Sequence, residues 1–371
     1  EGEFFNRFAP VIYGVVFVML VLVLLIGKKI GGARSWFGVG SFSIQPSEFA
    51  KMATSLFLAY FINSSGTRFK ALGTRFKAFL IIAIPAGLIL LQPDAGTVLV
   101  FSAFIFSLYR EGLSGNILII GFAALLLAVV TILLGATTFT YPFFGIGSGM
   151  GWLVVAVILV GVGGLFSVRA FVLPRFRRRN VNIVLASTIA ALAFSYTVNT
   201  GVERILKPHQ KERIYVLFGL PVENTDADYN IRHAKTAIGS GGWTGKGILK
   251  GPMTRYNFVP EQNTDFIFCT IGEEWGFLGS SFVILLFAVL ILRIISLAER
   301  QRSQFSRIYG YSVASILFMH ILINVGMVLG LAPVIGIPLP FFSYGGSCLL
   351  GFTLLIFIMI RLDSERFSVF R

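Results

Sequence analysis

The chain is poor in charge, and above all in acidic residues. Only 13% of its 371 residues are charged, and 17 Asp and Glu are outnumbered by 31 Lys and Arg. Hydrophobic residues make up 56% of the sequence. A soluble domain of this length is far more polar. The composition therefore excludes an ordinary soluble protein and favours a membrane protein.

Cysteine and histidine are also scarce, with two and three residues respectively. Cys269 and Cys348 both lie in apolar runs and are not spaced as metal ligands, so we interpret them as small, unpaired core residues. His233 has no second histidine at ligand spacing. The sequence therefore predicts no metal site built from histidine or cysteine.

Long apolar runs are what the chain has in abundance, and several approach the roughly 20 residues that cross a bilayer. We predict an all-α, polytopic integral membrane protein, with one membrane domain over 1–371 and about ten transmembrane segments. Because the chain begins with Glu1 rather than Met, we expect further residues upstream. The predicted segments are 9–27, 46–62, 78–91, 97–109, 116–135, 151–173, 181–199, 277–292, 308–331 and 347–361.

The net charge of +14 would suit a nucleic-acid partner, but the positions of the basic residues argue against one. They fall in short loops between apolar runs, a pattern typical of membrane orientation and of contact with anionic membrane lipids. Most of them fall in one alternate set of loops, which by the positive-inside rule faces the cytoplasm, whereas Lys28, Lys29 and Arg34 are exceptions on the other side. The long polar connection 200–264 then lies outside, together with the loops 28–45, 136–150 and 332–346. We expect the functional chemistry on this outer face.

Four of the few acidic residues fall close together, at Glu261, Asp265, Glu273 and Glu274. Asn263-Thr264 resembles a helix N-cap, which would put Asp265 in a first helical turn, where it stabilises the helix dipole. Alternatively, its apolar neighbours exclude water from a carboxylate that acts as a general base. The residues leave both interpretations open. We interpret Glu273 and Glu274 as a polar pair that caps or hydrogen-bonds a kinked helix.

Two Gln-Pro motifs each precede an acid at a predicted helix start. In 45–51, Glu48 and Lys51 are three residues apart and face together, either as a structural ion pair or as a functional pair at membrane depth. In the second motif, Gln92-Pro93 is followed by Asp94. Together with Asp265, the two motifs therefore predict three acids and one lysine on the outer face of the membrane.

Prolines and glycines in 336–347 prevent a straight helix. A broken or re-entrant segment would expose backbone donors and the hydroxyls of Ser343, Tyr344 and Ser347, which could bind a phosphate or a sugar. The alternative is a plain loop. The glycine-rich stretch 239–247 lacks the strand–helix context of a nucleotide-binding loop.

Five motifs occur in order over about 45–351: QPSEFAK, QPDAGT, AIGSGGWTGKG, PEQNTDFIF with GEEWGFLG, and GIPLPFFSYGGS. Together they resemble the SEDS family (shape, elongation, division and sporulation). The match is best to the members that act in cell elongation and shape, with the division-specific members as the close alternative. The resemblance predicts that the family's first two helices are missing from this sequence and that 151–199 is an additional helix pair.

The resemblance implies a peptidoglycan glycosyltransferase in the bacterial cytoplasmic membrane, with its active site facing outward. Such enzymes polymerise lipid II, a disaccharide-pentapeptide on undecaprenyl pyrophosphate, and work with a class B penicillin-binding protein, the transpeptidase. A transporter of the lipid-linked precursor and a scaffold that only docks the transpeptidase are the alternatives from other functional classes.

The resemblance also implies roles for individual residues. Asp265 occupies the position of the family's essential Asp, and we assign it as the general base. Lys51 and Arg213, with or without a divalent cation such as Mg²⁺, would offset the charge of the departing pyrophosphate. Glu48 and Asp94 would either set the position and ionisation of Lys51 or hold such a cation.

Overall fold

The structure is a computed structural model that describes residues 2–30, 33–39, 42–65, 71–141, 145–205, 211, 215 and 226–366. These residues group into two compact units. One contains Glu1–Leu113 and Tyr229–Arg371, and the other contains Ser114–Asp228. The first unit carries most of the motifs singled out above.

Helices account for most of the described chain. In chain order they are α1 (Gly2–Ile26), α2 (Pro46–Ser65), α3 (Leu72–Leu91), α4 (Ala95–Phe101), α5 (Phe104–Arg110), α6 (Gly115–Ala136), α7 (Met150–Phe171), α8 (Pro174–Thr200), α9 (Asp226–Gly241), α10 (Pro252–Arg255), α11 (Ile267–Glu299), α12 (Gln304–Leu329) and α13 (Gly346–Ser364). A π-helical turn, Gly201–Ile205, extends α8.

The helical membrane class predicted from composition is confirmed. Within the described residues, eight helices are long and apolar enough to cross a membrane: α1, α3, α6, α7, α8 with its π-helical turn, α11, α12 and α13. The predicted segment 97–109 is a pair of short helices, α4 and α5, and the predicted segment 46–62 lies on α2. All ten predicted segments thus coincide with helices, while the number that spans the bilayer stays a prediction.

The expectation of an all-helical chain missed two short antiparallel ribbons. In the first, β1 (Lys28–Ile30), β2 (Ala33–Val39) and β3 (Phe42–Ile44) pair in that order, with Phe37 opposite Ile44. In the second, β4 (Thr138–Tyr141) pairs with β5 (Gly145–Ser148). Aromatic and β-branched residues favour strands, and pairing satisfies the backbone groups of these connections. Hydropathy, which identified the helices, carries no signal for such short ribbons.

The core of the first unit forms around α12. In its most apolar window 72% of the residues are buried, and the helix packs against α2, α5, α11 and α13. Small residues allow this close approach. A Cβ added to Gly310 would lie 2.7 Å from the Cβ of Ala298, which is on α11. The central helix therefore brings side chains from distant parts of the sequence together.

The second unit contains α6, α7 and α8, which pack against one another. Gly161 of α7 lies directly against Thr188 of α8, where an added Cβ would be 2.6 Å from the Thr188 hydroxyl oxygen. The helix pair predicted over 151–199 corresponds to α7 and α8. Its exposed surface is largely apolar, as a membrane helix pair requires.

Candidate functional site

Asp265 lies in a turn and not within a helix. The helix α11 begins two residues later, at Ile267, and no side chain caps its N-terminus. Thr264 is not the N-cap, because that position is occupied by Phe266, and the Thr264 hydroxyl donates to Glu261 Oε2 at 2.9 Å instead. The predicted N-cap was therefore wrong, and with it the placement of Asp265 in the first helical turn.

The turn is anchored through three consecutive carbonyls, those of 263–265. The backbone N–H of Tyr344 donates to the first at 2.8 Å, Ser343 Oγ to the second at 2.6 Å and Asn324 Nδ2 to the third at 2.7 Å. Asp265 itself remains partly exposed. Its backbone is thus held by hydrogen bonds to the turn, a fixed position that suits a reacting group.

The carboxylate of Asp265 lies close against Gly336. A Cβ added to Gly336 would be 2.9 Å from Asp265 Oδ2, and the backbone of Gly336 has φ = +74°. Glycine is the residue that adopts this conformation without strain.

An open pocket of about 340 Å³ flanks this turn. It is lined by Asn263, Ile267, Phe342 and Tyr344. Asp265 itself is not among the lining residues, although it lies between two of them in sequence. Tyr344 is 82% exposed and presents its ring and hydroxyl to the outside. A pocket of this size lies within the range of small-ligand sites in proteins.

Glu48 and Lys51 form a buried ion pair on the first turns of α2. Lys51 Nζ is 2.8 Å from Glu48 Oε2, and Lys51 is fully buried. Lys51 Nζ also contacts His320 Nε2 at 2.9 Å and lies 4.7 Å from the centroid of the Phe352 ring. Lys51 is thus enclosed on all sides, and a direct contact with substrate stays a prediction.

Sequence reasoning missed His320 and Asn324, which lie one turn apart on α12. Asn324 Nδ2 donates both to the carbonyl of Asp265 and, at 2.6 Å, to that of Ile337. His320 Nδ1 is 3.3 Å from the carbonyl of Pro338. An ionisable residue within a membrane helix is by default a functional candidate, so the histidine in this apolar helix was the available signal.

Asp94 has a local structural role at the start of α4. Its carboxylate accepts hydrogen bonds from the Thr97 N–H at 3.0 Å, from Thr97 Oγ1 at 2.8 Å and from Gln45 Nε2 at 3.1 Å. It is the N-cap of that helix. The Gln45 contact ties it to the start of α2, three residues before Glu48.

The acidic residues Glu48 and Asp94 are used for pairing and capping in the part of the chain that the structure describes. Within the described residues, no group of three His, Cys, Asp or Glu side chains lies close enough to hold a metal ion. Glu48 is paired with Lys51, and Asp94 caps a helix. Two roles were predicted for Glu48, to position Lys51 or to hold a cation, and the geometry favours the first.

The hydroxyls of 343–347 are used differently from one another. Ser343 Oγ accepts a hydrogen bond from Leu339 N–H at 2.7 Å, in addition to donating to the 263–265 turn. Ser347 Oγ donates to the carbonyl of Ser43 at 2.7 Å. Both serines thus hold the predicted non-helical segment in place, and Tyr344 alone of the three is exposed. Substrate binding by these residues stays a prediction, as does that by Arg213, which lies outside the described residues.

A separate hydrogen-bond network joins Glu273 and Glu274 of α11 to the residues in and just after the glycine-rich stretch 239–247. Glu273 is fully buried and accepts from Lys246 Nζ at 2.9 Å and from the Met253 and Thr254 N–H groups, at 3.1 and 2.9 Å. Glu274 accepts from the Leu249 N–H at 2.9 Å. The predicted hydrogen-bonding role in a kinked helix is confirmed, and the kink is at Gly276.

Comparison with known proteins places the chain among membrane proteins of cell-wall synthesis. It is 32% identical over 355 residues to the peptidoglycan glycosyltransferase RodA of Treponema pallidum (strain Nichols), covering 93% of this chain and 81% of that protein. It is 30% identical to the peptidoglycan glycosyltransferase MrdB of Escherichia coli (strain K12), covering 93% and 75%.

A solved structure is also similar. It comes from work on the coordination of polymerization and crosslinking by a peptidoglycan synthase complex, with a TM-score of 0.62 and 25% identity over 98% of this chain and 83% of that chain. The sequence model of the FtsW/RodA/SpoVE family, described as cell cycle proteins, matches residues 1–142 and 150–367. Since that match covers nearly all of it, the chain belongs to the FtsW/RodA/SpoVE family of cell cycle proteins.

Proposed function

We propose that this chain is a shape-determining peptidoglycan glycosyltransferase. It polymerises lipid II on the outer face of the bacterial cytoplasmic membrane, with Asp265 as the general base. Relatives at 30–32% identity over most of the chain are peptidoglycan glycosyltransferases, which supports the activity. The observation that carries the site is a partly exposed Asp on a turn whose carbonyls are hydrogen-bonded by Tyr344, Ser343 and Asn324, beside an open pocket.

The reaction joins a sugar hydroxyl to an anomeric carbon that bears the lipid pyrophosphate. The hydroxyl proton passes to the Asp265 carboxylate while the hydroxyl oxygen bonds to the anomeric carbon. The bond from that carbon to the pyrophosphate oxygen breaks, and its electron pair leaves with the pyrophosphate. One carboxylate on the side opposite the leaving group is enough, because pyrophosphate departs as an anion without protonation.

The other residues of the site support this step without exchanging a proton with the substrate. The buried Lys51 ammonium is held by Glu48 and is linked through His320 to the segment 336–338, which packs against Asp265. Tyr344, on the pocket wall, offers an exposed ring and hydroxyl to a sugar. Ser343 and Ser347 keep the wall in place through their backbone contacts.

We also assign a class B penicillin-binding protein, the transpeptidase, as the partner. The similar solved chain belongs to a peptidoglycan synthase complex, which supports this assignment. The polymerase active site and the transpeptidase then act on the same side of the membrane, where the glycan strand is made.

Replacing Asp265 with Asn tests the proposed base. Purified Asp265→Asn should lose polymerisation of lipid II by at least about a hundredfold, the lower end of what a positioned base contributes. Glycan formation in detergent, followed by gel separation of labelled lipid II products, measures this. Glu261→Gln is the matched control, because it removes an exposed acid from the same turn and should stay active.

The same assay separates the alternatives. A transporter or a docking scaffold would form no polymer when the pure protein meets lipid II, whatever the residue at 265. Near-normal polymer from Asp265→Asn would remove this residue from the mechanism, provided that thermal unfolding of the variant matches the wild type.

A further inference from the structure

His320 is the one described histidine that is fully enclosed in the core of the first unit. It is 1% exposed, and the Phe352 ring packs edge-on against it, with ring centroids 4.7 Å apart. Lys51 and Pro338 flank it on its two nitrogen atoms. A buried imidazole with a partner on each nitrogen has a defined tautomer.

The partners dictate which nitrogen carries the proton. The ammonium of Lys51 can only donate, so His320 Nε2, at 2.9 Å, accepts. The carbonyl of Pro338 can only accept, so Nδ1 carries the hydrogen and donates to it at 3.3 Å. His320 is therefore neutral, with its proton on Nδ1, as long as Lys51 is charged.

This arrangement links two parts of the site that are far apart in sequence. On one side is the Glu48–Lys51 pair at the start of α2. On the other side is the segment 336–338, whose Gly336 lies against the Asp265 carboxylate. Asn324, one turn further along α12, bonds the carbonyls of Ile337 and Asp265. His320 contacts both the lysine and this segment.

We propose that His320 is a positioning residue of the transfer reaction. Through Nε2 it holds the Lys51 ammonium in one place, and through Nδ1 it ties that ammonium to the segment that packs on Asp265. The positive charge is thereby fixed relative to the base. This inference rests on the proposed function, and it assigns His320 no contact with substrate.

Two substitutions test the roles of the two His320 nitrogens one at a time. In His320→Gln, the amide oxygen reaches the position of Nε2 and can accept from Lys51, whereas the donor to Pro338 is lost. In His320→Asn, the amide nitrogen lies near the position of Nδ1 and can donate to Pro338, whereas the acceptor for Lys51 is lost. Both variants carry the same amide group and differ by one methylene, which decides the partner that the amide reaches.

Steady-state polymerisation of lipid II should distinguish them. We expect His320→Asn to lower kcat roughly tenfold to a hundredfold, the effect of one hydrogen bond to a charged group, with KM little changed. His320→Gln should restore most of the rate. If His320 only braced the segment 336–338, His320→Asn would be the active variant. That result would overturn the inference, as would equal rates in both variants.

Nuclear magnetic resonance of the wild type gives a test that needs no variant to fold. The chain has only three histidines, so ¹⁵N-labelled imidazoles can be assigned. We expect His320 as the neutral tautomer protonated at Nδ1, and a signal from an Nε2–H tautomer would overturn the inference. If the wild type polymerises lipid II and Asp265→Asn does not, the proposed function stands, whichever tautomer His320 has. If the wild type makes no polymer, the proposed function fails, and the inference about His320 fails with it.

Discussion

At Gly336 the room for a side chain is smaller than one methyl group. Its backbone is in the left-handed region, and a Cβ would meet Asp265 Oδ2 at 2.9 Å. We expect Gly336→Ala to displace the carboxylate and to lower the rate of lipid II polymerisation at least tenfold. The positive φ itself costs an alanine about 1–2 kcal/mol, so the temperature of thermal unfolding should fall by only a few degrees.

Gly346→Ala is the control for that substitution. A Cβ at Gly346 would have no heavy atom within 4 Å, and its φ is not positive. Full polymerisation by Gly336→Ala would contradict the idea that the Asp265 carboxylate must stay at this spot.

The residues of the site differ in how far the sequence revealed them. Asp265, Glu48 and Lys51 stood out because ionisable groups are rare in this chain and sit at predicted helix starts. His320 did not, because its importance comes from Lys51, which is 269 residues away in sequence. Periodicity and local motifs describe neighbours along one helix, and they cannot show which side chains a central helix such as α12 brings together.

Among the helices, α11 has a break that another segment fills. At Gly276 the backbone has φ = +64° and ψ = −160°. The N–H groups of Phe277 and Leu278 bond the carbonyls of Gly242 and Trp243, at 2.8 and 3.1 Å. In return, the N–H groups of 246–247 bond the carbonyls of 273–274, each at 3.0 Å. The glycine-rich stretch thus satisfies backbone groups that the kink leaves without helical partners.

Gly276→Ala should detach this stretch from α11. A Cβ there would lie 2.4 Å from Gly245 N and 2.8 Å from Gly242 O, both backbone atoms. We expect faster trypsin cleavage at Lys246 and Lys250 and faster amide hydrogen exchange at Phe277 and Leu278.

Gly239→Ala, in the neighbouring helix α9, is the control, because no heavy atom lies within 4 Å of its added Cβ. It should leave both measurements unchanged. Unaltered cleavage in Gly276→Ala would show that the stretch is held by the Glu273–Lys246 ion pair and not by the backbone exchange.

Hydropathy predicted the helices well because burial in lipid demands long apolar runs. It could not predict where α11 begins. Thr264 has the side chain of an N-cap, yet its hydroxyl bonds Glu261 and its carbonyl bonds Ser343. Tertiary contacts decide where this helix begins. The ribbons β1–β3 and β4–β5 likewise depend on backbone pairing between strands, which hydropathy does not describe.

On the scale of the whole chain, the charges of the first unit separate along its helices. At the ends of α5 and α11, acids pair with arginines: Arg110 with Glu299 at 3.1 Å, and Arg300 with Asp363. At the starts of α2 and α4, and just before α11, lie the acids of the candidate site. Exposed pairs of this kind contribute little stability. They show at which end of the helices the arginines collect, and the positive-inside rule assigns that end to the cytoplasm.

Cysteine labelling tests this orientation in the intact cell envelope. Thr244 and Ser114 are both exposed, and they lie on opposite predicted sides, Thr244 in the connection 200–264 and Ser114 beside Arg110. Because Cys269 and Cys348 are buried, the wild type should react weakly with a membrane-impermeant maleimide. We expect Thr244→Cys to be labelled in spheroplasts and Ser114→Cys only after permeabilisation. The reverse pattern would turn Asp265 toward the cytoplasm, where no strand of peptidoglycan is made, and the proposed function would then have to be abandoned even if every contact within the site were correct.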